Sequence, residues 1–413
     1  MDAISLKKDN SYPWIIFLLW PAAMLYASIR NYRTTWAKNG LWLFIIFFGY
    51  TFIPQEGNDS TRYIELFLEL NHSNYDLSAI TGMLYSETTQ YVDVFGLMVA
   101  FIVSRFTDNP QILFAILGLI FGFFYTRNIW YILEKTEGKL NNYLLLLIVV
   151  FALVVPIWSI NGVRYWTAAH IFCYGALPFL MDGRSRGSWI SGLSIFVHFS
   201  FIFPVLLLFV YRIIGNRTTI FFIFFVISIF ITEINIPFVR NILINYTPAV
   251  FHERITQYTR VEQIQELSVQ RTTLNWYVVW YIRGIKIFLN LLLVAVFLLG
   301  QNIWKERTMM LRLFSFALLF VGVANIIGSV GALHRFTVVA SLFSSAFLFI
   351  YFYYNTSESI TKRLFLLLSP ALALFFIVSM RSGFENTGIL AFITNPLTVP
   401  FLTNEVALID LIK

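Results

Sequence analysis

The sequence predicts an all-α polytopic membrane protein built from about 11–12 transmembrane or re-entrant helices. Its 413 residues are 58% hydrophobic and only 12% charged, whereas soluble domains carry about 25% charged residues. Nearly uninterrupted apolar runs recur from end to end, as at 41–53, 112–124, 144–155 and 364–378. Because each crossing needs about 20 residues, nothing of soluble-domain size remains, and residues 1–413 are expected to form a single integral membrane domain.

The helices are predicted from apolar segments bounded by polar or basic residues. The first of them, Trp14 to Ile29, lacks a small-residue cleavage site and is interpreted as a retained helix. The segment Ser188–Tyr211 is the best candidate for a re-entrant hairpin, because polar residues and a proline interrupt it. The candidate spans lie at about 14–29, 41–54, 91–106, 110–130, 142–160, 163–181, 188–211, 218–235, 276–300, 309–330, 335–354 and 361–380.

Short basic linkers separate many of these spans, and the positive-inside rule favours the cytoplasm for all of them. Counting crossings conflicts with that placement, because three candidate spans separate the first linker from the second. Either one linker faces outward or some segments are re-entrant. The six linkers are Arg30–Lys38, Arg127–Lys139, Arg184–Arg186, Arg212–Arg217, Lys305–Arg312 and Lys362–Arg363.

Two polar segments, 55–90 and 232–273, are predicted to be extracytoplasmic loops. The first carries six acids against one arginine in a chain whose net charge is +7, and this favours the outer side. The second has four acids and four arginines, and apolar residues recur every three or four positions from Phe251 to Leu267. That spacing predicts an amphipathic helix at the membrane surface.

Composition also bears on partners and cofactors. The basic surplus follows from the linkers, and no basic run or aromatic-basic module indicates nucleic acid. The only cysteine, Cys173, excludes an intrachain disulfide and a cysteine-based metal site. The five histidines show no metal-ligand spacing, so the sequence predicts neither a metal nor a cofactor.

The first candidate site is the turn after the second span, with Asp59, Arg62 and Tyr63. Asp59 and Arg62 are three residues apart and share a face of a helix. Asp59 is the first candidate for a catalytic base, while Arg62 and Tyr63 would bind substrate. The alternative is an N-capping Asp59 beside a solvated Arg62.

Four further residues complete the candidate set. Arg164 opens an apolar helix and could bind phosphate through its planar fork, or simply snorkel to the interface. His198, in apolar surroundings, is the second candidate base, or else a hydrogen-bonded core residue. Of the adjacent His334 and Arg335, which point to different helix faces, Arg335 is preferred for substrate. Arg254 of the second loop is another substrate-binding candidate.

These motifs carry a resemblance to a known family. The order D-x-x-R-Y from Asp59, N-G-V-R ending at Arg164 and V-H-F-S around His198 resembles the EpsG family of Wzy-type O-antigen and exopolysaccharide polymerases. The resemblance covers mostly residues 50–210. Glu87 precedes Tyr91 where that family often has an acid and a tyrosine before the next span, and it is a further substrate-binding candidate. One departure is Tyr165, where the family commonly has glutamine.

The resemblance implies a glycosyltransferase that moves a growing glycan from undecaprenyl pyrophosphate to a lipid-linked repeat unit. It implies the outer face of the bacterial inner membrane and the lipid-dependent (GT-C-like) fold shared with O-antigen ligases. Expected partners are lipid-linked glycans, membrane lipid and a chain-length regulator. In that chemistry Arg164 and Arg335 would bind the pyrophosphate.

Two other functions are compatible with a membrane protein of this composition. A flippase or transporter for lipid-linked oligosaccharides would distribute polar residues along many spans and show two related halves. Here the polar groups cluster at span ends and in two loops, which favours an enzyme. A membrane O-acyltransferase would also use a buried histidine but has no evident need for three arginines at helix ends.

Overall fold

The computed structural model describes residues 13–73, 75–84, 93–231, 236–247, 252–259, 273–328, 331–356, 359–403 and 405–412. Within these ranges the regular elements are helices, joined by short turns. This confirms the predicted all-α fold class. Helices suit a lipid environment because every backbone donor and acceptor is satisfied inside the segment.

The first half of the chain forms twelve of the helices described here. The first predicted span is divided in two at Trp20, directly before Pro21. The helices are α1 (Pro13–Leu19), α2 (Pro21–Arg30), α3 (Ala37–Tyr50), α4 (Asp59–His72), α5 (Leu77–Met83), α6 (Val94–Ser104), α7 (Pro110–Leu133), α8 (Asn142–Val154), α9 (Val163–Asp182), α10 (Ser185–Gly192), α11 (Ser194–Val197) and α12 (Ile202–Ile214).

The second half continues with helices of similar composition. They are α13 (Thr218–Phe230), α14 (Ile236–Tyr246), α15 (His252–Tyr258), α16 (Trp276–Leu299), α17 (Gln301–Trp304), α18 (Thr308–Ile327), α19 (Arg335–Tyr354), α20 (Ile360–Asn386) and α21 (Leu390–Ile393). Short 3-10 turns at Ile157–Gly162 and Gly331–His334 lead into α9 and α19.

Six helical segments of the described residues are long and apolar enough to cross a membrane, by length and composition. They are Pro110–Leu133, Asn142–Asp182, Trp276–Leu299, Thr308–Ile327, Arg335–Tyr354 and Ile360–Asn386. Shorter apolar helices lie at Val94–Ser104, Phe199–Ile214 and Thr218–Phe230. The chain is therefore a multi-pass membrane protein.

All six basic linkers meet at one end of the helix bundle, which we call the basic end. Arg33 donates to the carbonyls of Leu133 and Thr136 at 2.8 and 2.6 Å, which joins the first linker to the second. Lys135 pairs with Asp182 at 2.5 Å, next to the third linker.

The remaining linkers are joined to the basic end by similar contacts. Arg212 donates to the Ser188 hydroxyl at 3.0 Å, and the Tyr211 hydroxyl donates to the Arg312 carbonyl at 3.0 Å. Arg307 lies over the Tyr354 ring, 4.2 Å from its centroid, close to the sixth linker. The contacts thus resolve the conflict over crossings.

Two features of the chain account for the even number of crossings. The segment 91–106 was expected to be a span, but α6 has only 11 residues, about 16 Å of helix. It lies beside α4, where Asn71 donates to the Ser104 carbonyl at 2.7 Å. Among the helices described between the first two linkers, α3 and α7 therefore connect the two ends of the bundle.

The second feature is a hairpin in the segment predicted to be re-entrant. Helices α10 and α11 rise from the basic end, the chain turns at His198–Phe201, and α12 returns. Arg212 near the end of α12 contacts Ser188 in α10, so both arms of the hairpin lie at the basic end. The segment therefore forms the predicted helical hairpin, and its turn lies beside the first turn of α9.

Candidate active site

Arg164 lies in the first turn of α9, where the chain leaves a 3-10 turn that ends at Gly162. Its Nε donates to the Tyr63 hydroxyl at 3.0 Å, and its Nη1 donates to Asp93 Oδ2 at 3.1 Å. Gly96 of α6 leaves room for it, since a Cβ there would lie 2.8 Å from Arg164 Cδ. Arg164 is thus held in the protein rather than extended toward the interface.

The carboxylate of Asp93 connects Arg164 to the hairpin. This side chain, 6% exposed, directly precedes α6. One oxygen accepts from Arg164, and the other accepts from the backbone N–H of Phe199 at 2.8 Å. A buried carboxylate with two charge-assisted hydrogen bonds fixes both partners firmly. Asp93 was not among the predicted site residues, although the sequence shows it as an acid directly before an apolar run.

His198 forms the tip of the hairpin. Its backbone is extended, with φ −150° and ψ 117°, and its Nδ1 accepts from the backbone N–H of Ser200 at 3.3 Å. The Ser200 hydroxyl is 2.8 Å from the same nitrogen. The ring packs edge-on against Tyr165 at 5.2 Å, so His198 is buried beside the helix that carries Arg164.

Arg335, the first residue of α19, also lies beside Tyr165. Its guanidinium carbon lies 5.6 Å from the centroid of the Tyr165 ring. The next residue, Phe336, is buried against the same ring at 5.8 Å. His198 and Arg335 therefore both contact Tyr165, and His334 lines a neighbouring cavity instead.

Helix α4 forms the outer rim of the site. Asp59 is its first residue and Asn58 its N-cap. Arg62 Nη1 lies 3.9 Å from Asp59 Oδ1, and the two side chains are 77% and 39% exposed. Burial raises the pKa of Tyr63; Arg164 beside it acts in the opposite direction, and the Asp59 carboxylate adds to the rise. The net effect is a raised pKa, so the Tyr63 hydroxyl stays neutral between the Asp59 carboxylate and the Arg164 guanidinium.

Two candidates cannot be placed beside these residues. Glu87 lies outside the described part of the chain. Arg254 belongs to α15, which packs against the 3-10 turn Gly331–His334 that leads to Arg335, but its side chain lies outside the described atoms. Ile255 of the same helix is buried in the protein, and the rest of the predicted amphipathic helix, from 260 to 267, lies outside the described residues.

The arrangement combines fixed cations with groups that can exchange a proton. Arg164 has a second terminal nitrogen for which the described residues provide no hydrogen-bond partner. A guanidinium positioned in this way can bind a phosphate oxygen without a metal. The Asp59 carboxylate and the His198 imidazole are the predicted candidates for the catalytic base.

Comparison with known proteins identifies the family. No curated protein sequence and no solved structure matches the chain at a significant level. One family model matches residues 40–393 and spans the described site and nearly all of the helices. It is the same family that the D-x-x-R-Y, N-G-V-R and V-H-F-S motifs resemble. The chain belongs to the EpsG family.

Proposed function

We propose that this protein is a Wzy-type polymerase of the O-antigen or exopolysaccharide class. It would transfer a growing glycan from undecaprenyl pyrophosphate to the sugar end of a lipid-linked repeat unit. Membership of the EpsG family supports a polymerase-like role in polysaccharide synthesis. The observation that carries the proposal is Arg164, a guanidinium fixed by Asp93 and Tyr63 at the mouth of a membrane helix.

The proposed reaction is a displacement at the anomeric carbon of the donor. The acceptor hydroxyl forms the new C–O bond as the bond to the lipid pyrophosphate breaks. The hydroxyl proton passes to a base, and the leaving pyrophosphate takes the bonding electron pair. Arg164 and Arg335 would stabilise its charge, and such fixed cations act most strongly where water is excluded.

Asp59 is the first choice for the base and His198 the second. The Asp59 carboxylate is partly exposed at the rim, where a sugar hydroxyl can reach it. The Nδ1 of His198 is engaged by Ser200, and this interaction fixes the ring orientation. Arg62, Tyr63, Glu87 and Arg254 would orient sugar or phosphate groups around the reacting centre.

We further propose that the site faces away from the cytoplasm in the bacterial inner membrane. All six basic linkers meet at the end opposite Arg164, and basic loops favour the cytoplasm. The loops 55–90 and 232–273 would then be extracytoplasmic. A GT-C-like arrangement of the helices is part of the same proposal.

Purified protein supplied with lipid-pyrophosphate repeat units should build a glycan ladder without nucleotide sugars. Arg164→Lys should lose most of this activity, more than about tenfold, because a point charge replaces the bidentate fork. The matched control is Arg363→Lys, at an exposed position of the basic end, which should polymerise normally. A normal ladder from Arg164→Lys would remove this arginine from the mechanism.

A transporter would behave differently in cells. In Asp59→Asn the carboxylate can no longer accept a proton, while size and most hydrogen bonds are kept. The polymerase proposal expects single repeat units to reach the cell surface in this variant while long chains disappear. If surface display of single units stopped as well, and purified protein made no ladder, transport would replace polymerisation.

A further inference from the structure

A second polar region lies within the membrane part of the bundle, away from Arg164. It is a cavity of about 510 Å³ between α13, α16, α18 and α19. Helix α16 contributes Arg283, Lys286 and Asn290, spaced three and four residues apart and therefore on one face. These residues were not among the predicted site residues, although the sequence shows two cations within one apolar span.

The charges of this cavity are not paired within the described part of the chain. Neither Arg283 nor Lys286 makes an ion pair among the described residues, and no carboxylate lines the cavity. Lys286 is ten residues into α16, about 15 Å from its start. An ionisable group at that depth of an apolar helix is costly and ordinarily marks a binding site.

Asn325 provides independent evidence for a ligand. Its side chain is 9% exposed and lines the cavity. Its Nδ2 donates to the Ser228 hydroxyl at 3.0 Å, but its buried Oδ1 has no hydrogen-bond partner. An unpaired buried polar atom is costly, and this one belongs to a side chain that borders the cavity together with the two cations.

Two further cavities continue the polar one. A space of about 220 Å³ shares Tyr281, Lys286 and Thr337 with it and is also lined by Trp158 and Trp166. That space in turn shares three residues with an apolar groove of about 320 Å³. The shared residues are Leu153, Pro156 and Trp158.

The apolar groove runs through the depth of the bundle. Its lining includes Tyr32 and Leu133, near the basic end, and Trp158 and Gly383, near the opposite end, where Arg164 lies. Along α8 it extends from Leu145 to Leu153, about 12 Å of helix. The apolar groove thus leads past Lys286 into the polar cavity. This order matches a lipid tail, a phosphate and a sugar.

We propose that Lys286 and Arg283 bind the pyrophosphate of the lipid-linked acceptor, with its tail in the apolar groove and its first sugar beside Asn325. The inference rests on the proposed polymerase function, in which two lipid pyrophosphates must be bound at once. Tyr165 lies beside Arg335, and the next residue, Trp166, lines the space that Lys286 also lines. The acceptor pyrophosphate gains no charge in the reaction, whereas the leaving group beside Arg164 does and would be bound by the planar fork of an arginine.

The binding test uses full-length protein in nanodiscs of zwitterionic lipid, titrated with farnesyl pyrophosphate in a calorimeter. Wild type should bind two equivalents. Lys286→Met should weaken one of them by about tenfold or more, because a charged hydrogen bond is lost. The matched control Lys305→Met removes the same charge at the basic end and should still bind two. Two unchanged equivalents in Lys286→Met would overturn the proposal.

A second variant tests the groove. Val149 lines it, so Val149→Phe should weaken farnesyl pyrophosphate and leave inorganic pyrophosphate unaffected. If farnesyl and inorganic pyrophosphate bind the Lys286 site equally well, the tail assignment is wrong. If vesicles containing phosphatidylglycerol displace the probe from that site at equal concentration, the cavity is a phospholipid site and the acceptor assignment is wrong.

Stability distinguishes binding from a structural role. Lys286→Met removes an unpaired charge from the membrane, so the midpoint of thermal unfolding should stay equal or rise. A lower midpoint than that of Lys305→Met would show that Lys286 supports the fold, and the proposal would fall.

The ladder assay keeps the two proposals apart. A wild-type ladder with equal activity in Lys286→Met and Lys305→Met would overturn this inference and leave the polymerase function intact. Absence of a wild-type ladder together with Lys286-dependent binding would overturn the function and support the anion site.

Discussion

At the scale of single residues, the Asp93 carboxylate holds three parts of the chain together. It precedes α6, accepts from Arg164 in α9 and accepts from Phe199 at the hairpin tip. Each bond involves a charge in a largely buried position, where such bonds contribute most. The position of Arg164 therefore depends on a residue that need not touch substrate.

Asp93→Asn tests this dependence. The amide keeps the size of the side chain but loses its charge, and it can accept from only one of the two donors through a carbonyl oxygen. We expect the free energy of unfolding to fall by about 1–3 kcal/mol and polymerisation to fall more than about tenfold. Thermal unfolding in detergent and the ladder assay measure the two effects.

The matched control for this change is Asp108→Asn, an exposed aspartate in the turn that follows α6. It should match wild type in both measurements. Equal behaviour of the two variants would mean that Asp93 does not hold the site.

At the scale of elements, the hairpin is positioned by a close contact of α9 with α10. A Cβ at Gly187 would lie 2.4 Å from the Gly175 carbonyl oxygen, so two backbones approach where a side chain cannot fit. Nearby, the Ser191 hydroxyl donates to the Phe172 carbonyl at 3.0 Å. Small residues at such contacts let membrane helices pack closely.

Gly187→Ala should therefore force the two helices apart. The new Cβ would meet the Gly175 carbonyl oxygen and the Phe179 nitrogen, which are backbone atoms and cannot move aside as a side chain can. We therefore expect a loss of about 1–3 kcal/mol in the free energy of unfolding. Activity should fall as well, since the displaced hairpin carries His198 and Phe199. Thermal unfolding and the ladder assay provide the measurements.

Gly192→Ala is the control within the same helix, because nothing lies within 4 Å of its added Cβ. It should leave stability and activity unchanged. If both alanine variants were equally stable, the close contact would not position the hairpin.

At the scale of the whole molecule, charge divides the bundle into two ends. The basic linkers meet at one end, and Asp93, Arg164 and His198 lie toward the other. The C-terminal segment lies at this second end too, where Trp20 donates to the Phe392 carbonyl at 2.5 Å. The distribution yields a definite topology under the positive-inside rule.

Cysteine labelling with an impermeant reagent tests that topology. In a Cys173→Ser background, whose native thiol is buried, Glu56→Cys should label in intact cells. Lys139→Cys, exposed at the basic end, should label only after permeabilisation. The reverse pattern would place the site in the cytoplasm and contradict the proposed orientation.

The sequence by itself determined the membrane class, the helical fold and the helical hairpin at 188–211. These follow from local properties: apolar runs must span lipid as helices, and His198, Ser200 and Pro204 interrupt a segment too short to cross twice. It also singled out Arg164, because a cation at the start of an apolar helix can be recognised from the sequence alone. The span predicted at 91–106 corresponds to the shorter helix α6, since an apolar run does not by itself show whether its helix crosses the membrane.

The tertiary structure decided which charged groups meet. Arg164 pairs with a carboxylate 71 positions earlier in the chain, and no spacing rule connects residues so far apart. The same holds for the Lys286 cavity, whose polar lining comes from four helices. It also placed all six basic linkers at one end, because only packing shows that α6 does not cross. Local patterns fix which helices form, whereas the partners of a buried charge depend on how those helices pack.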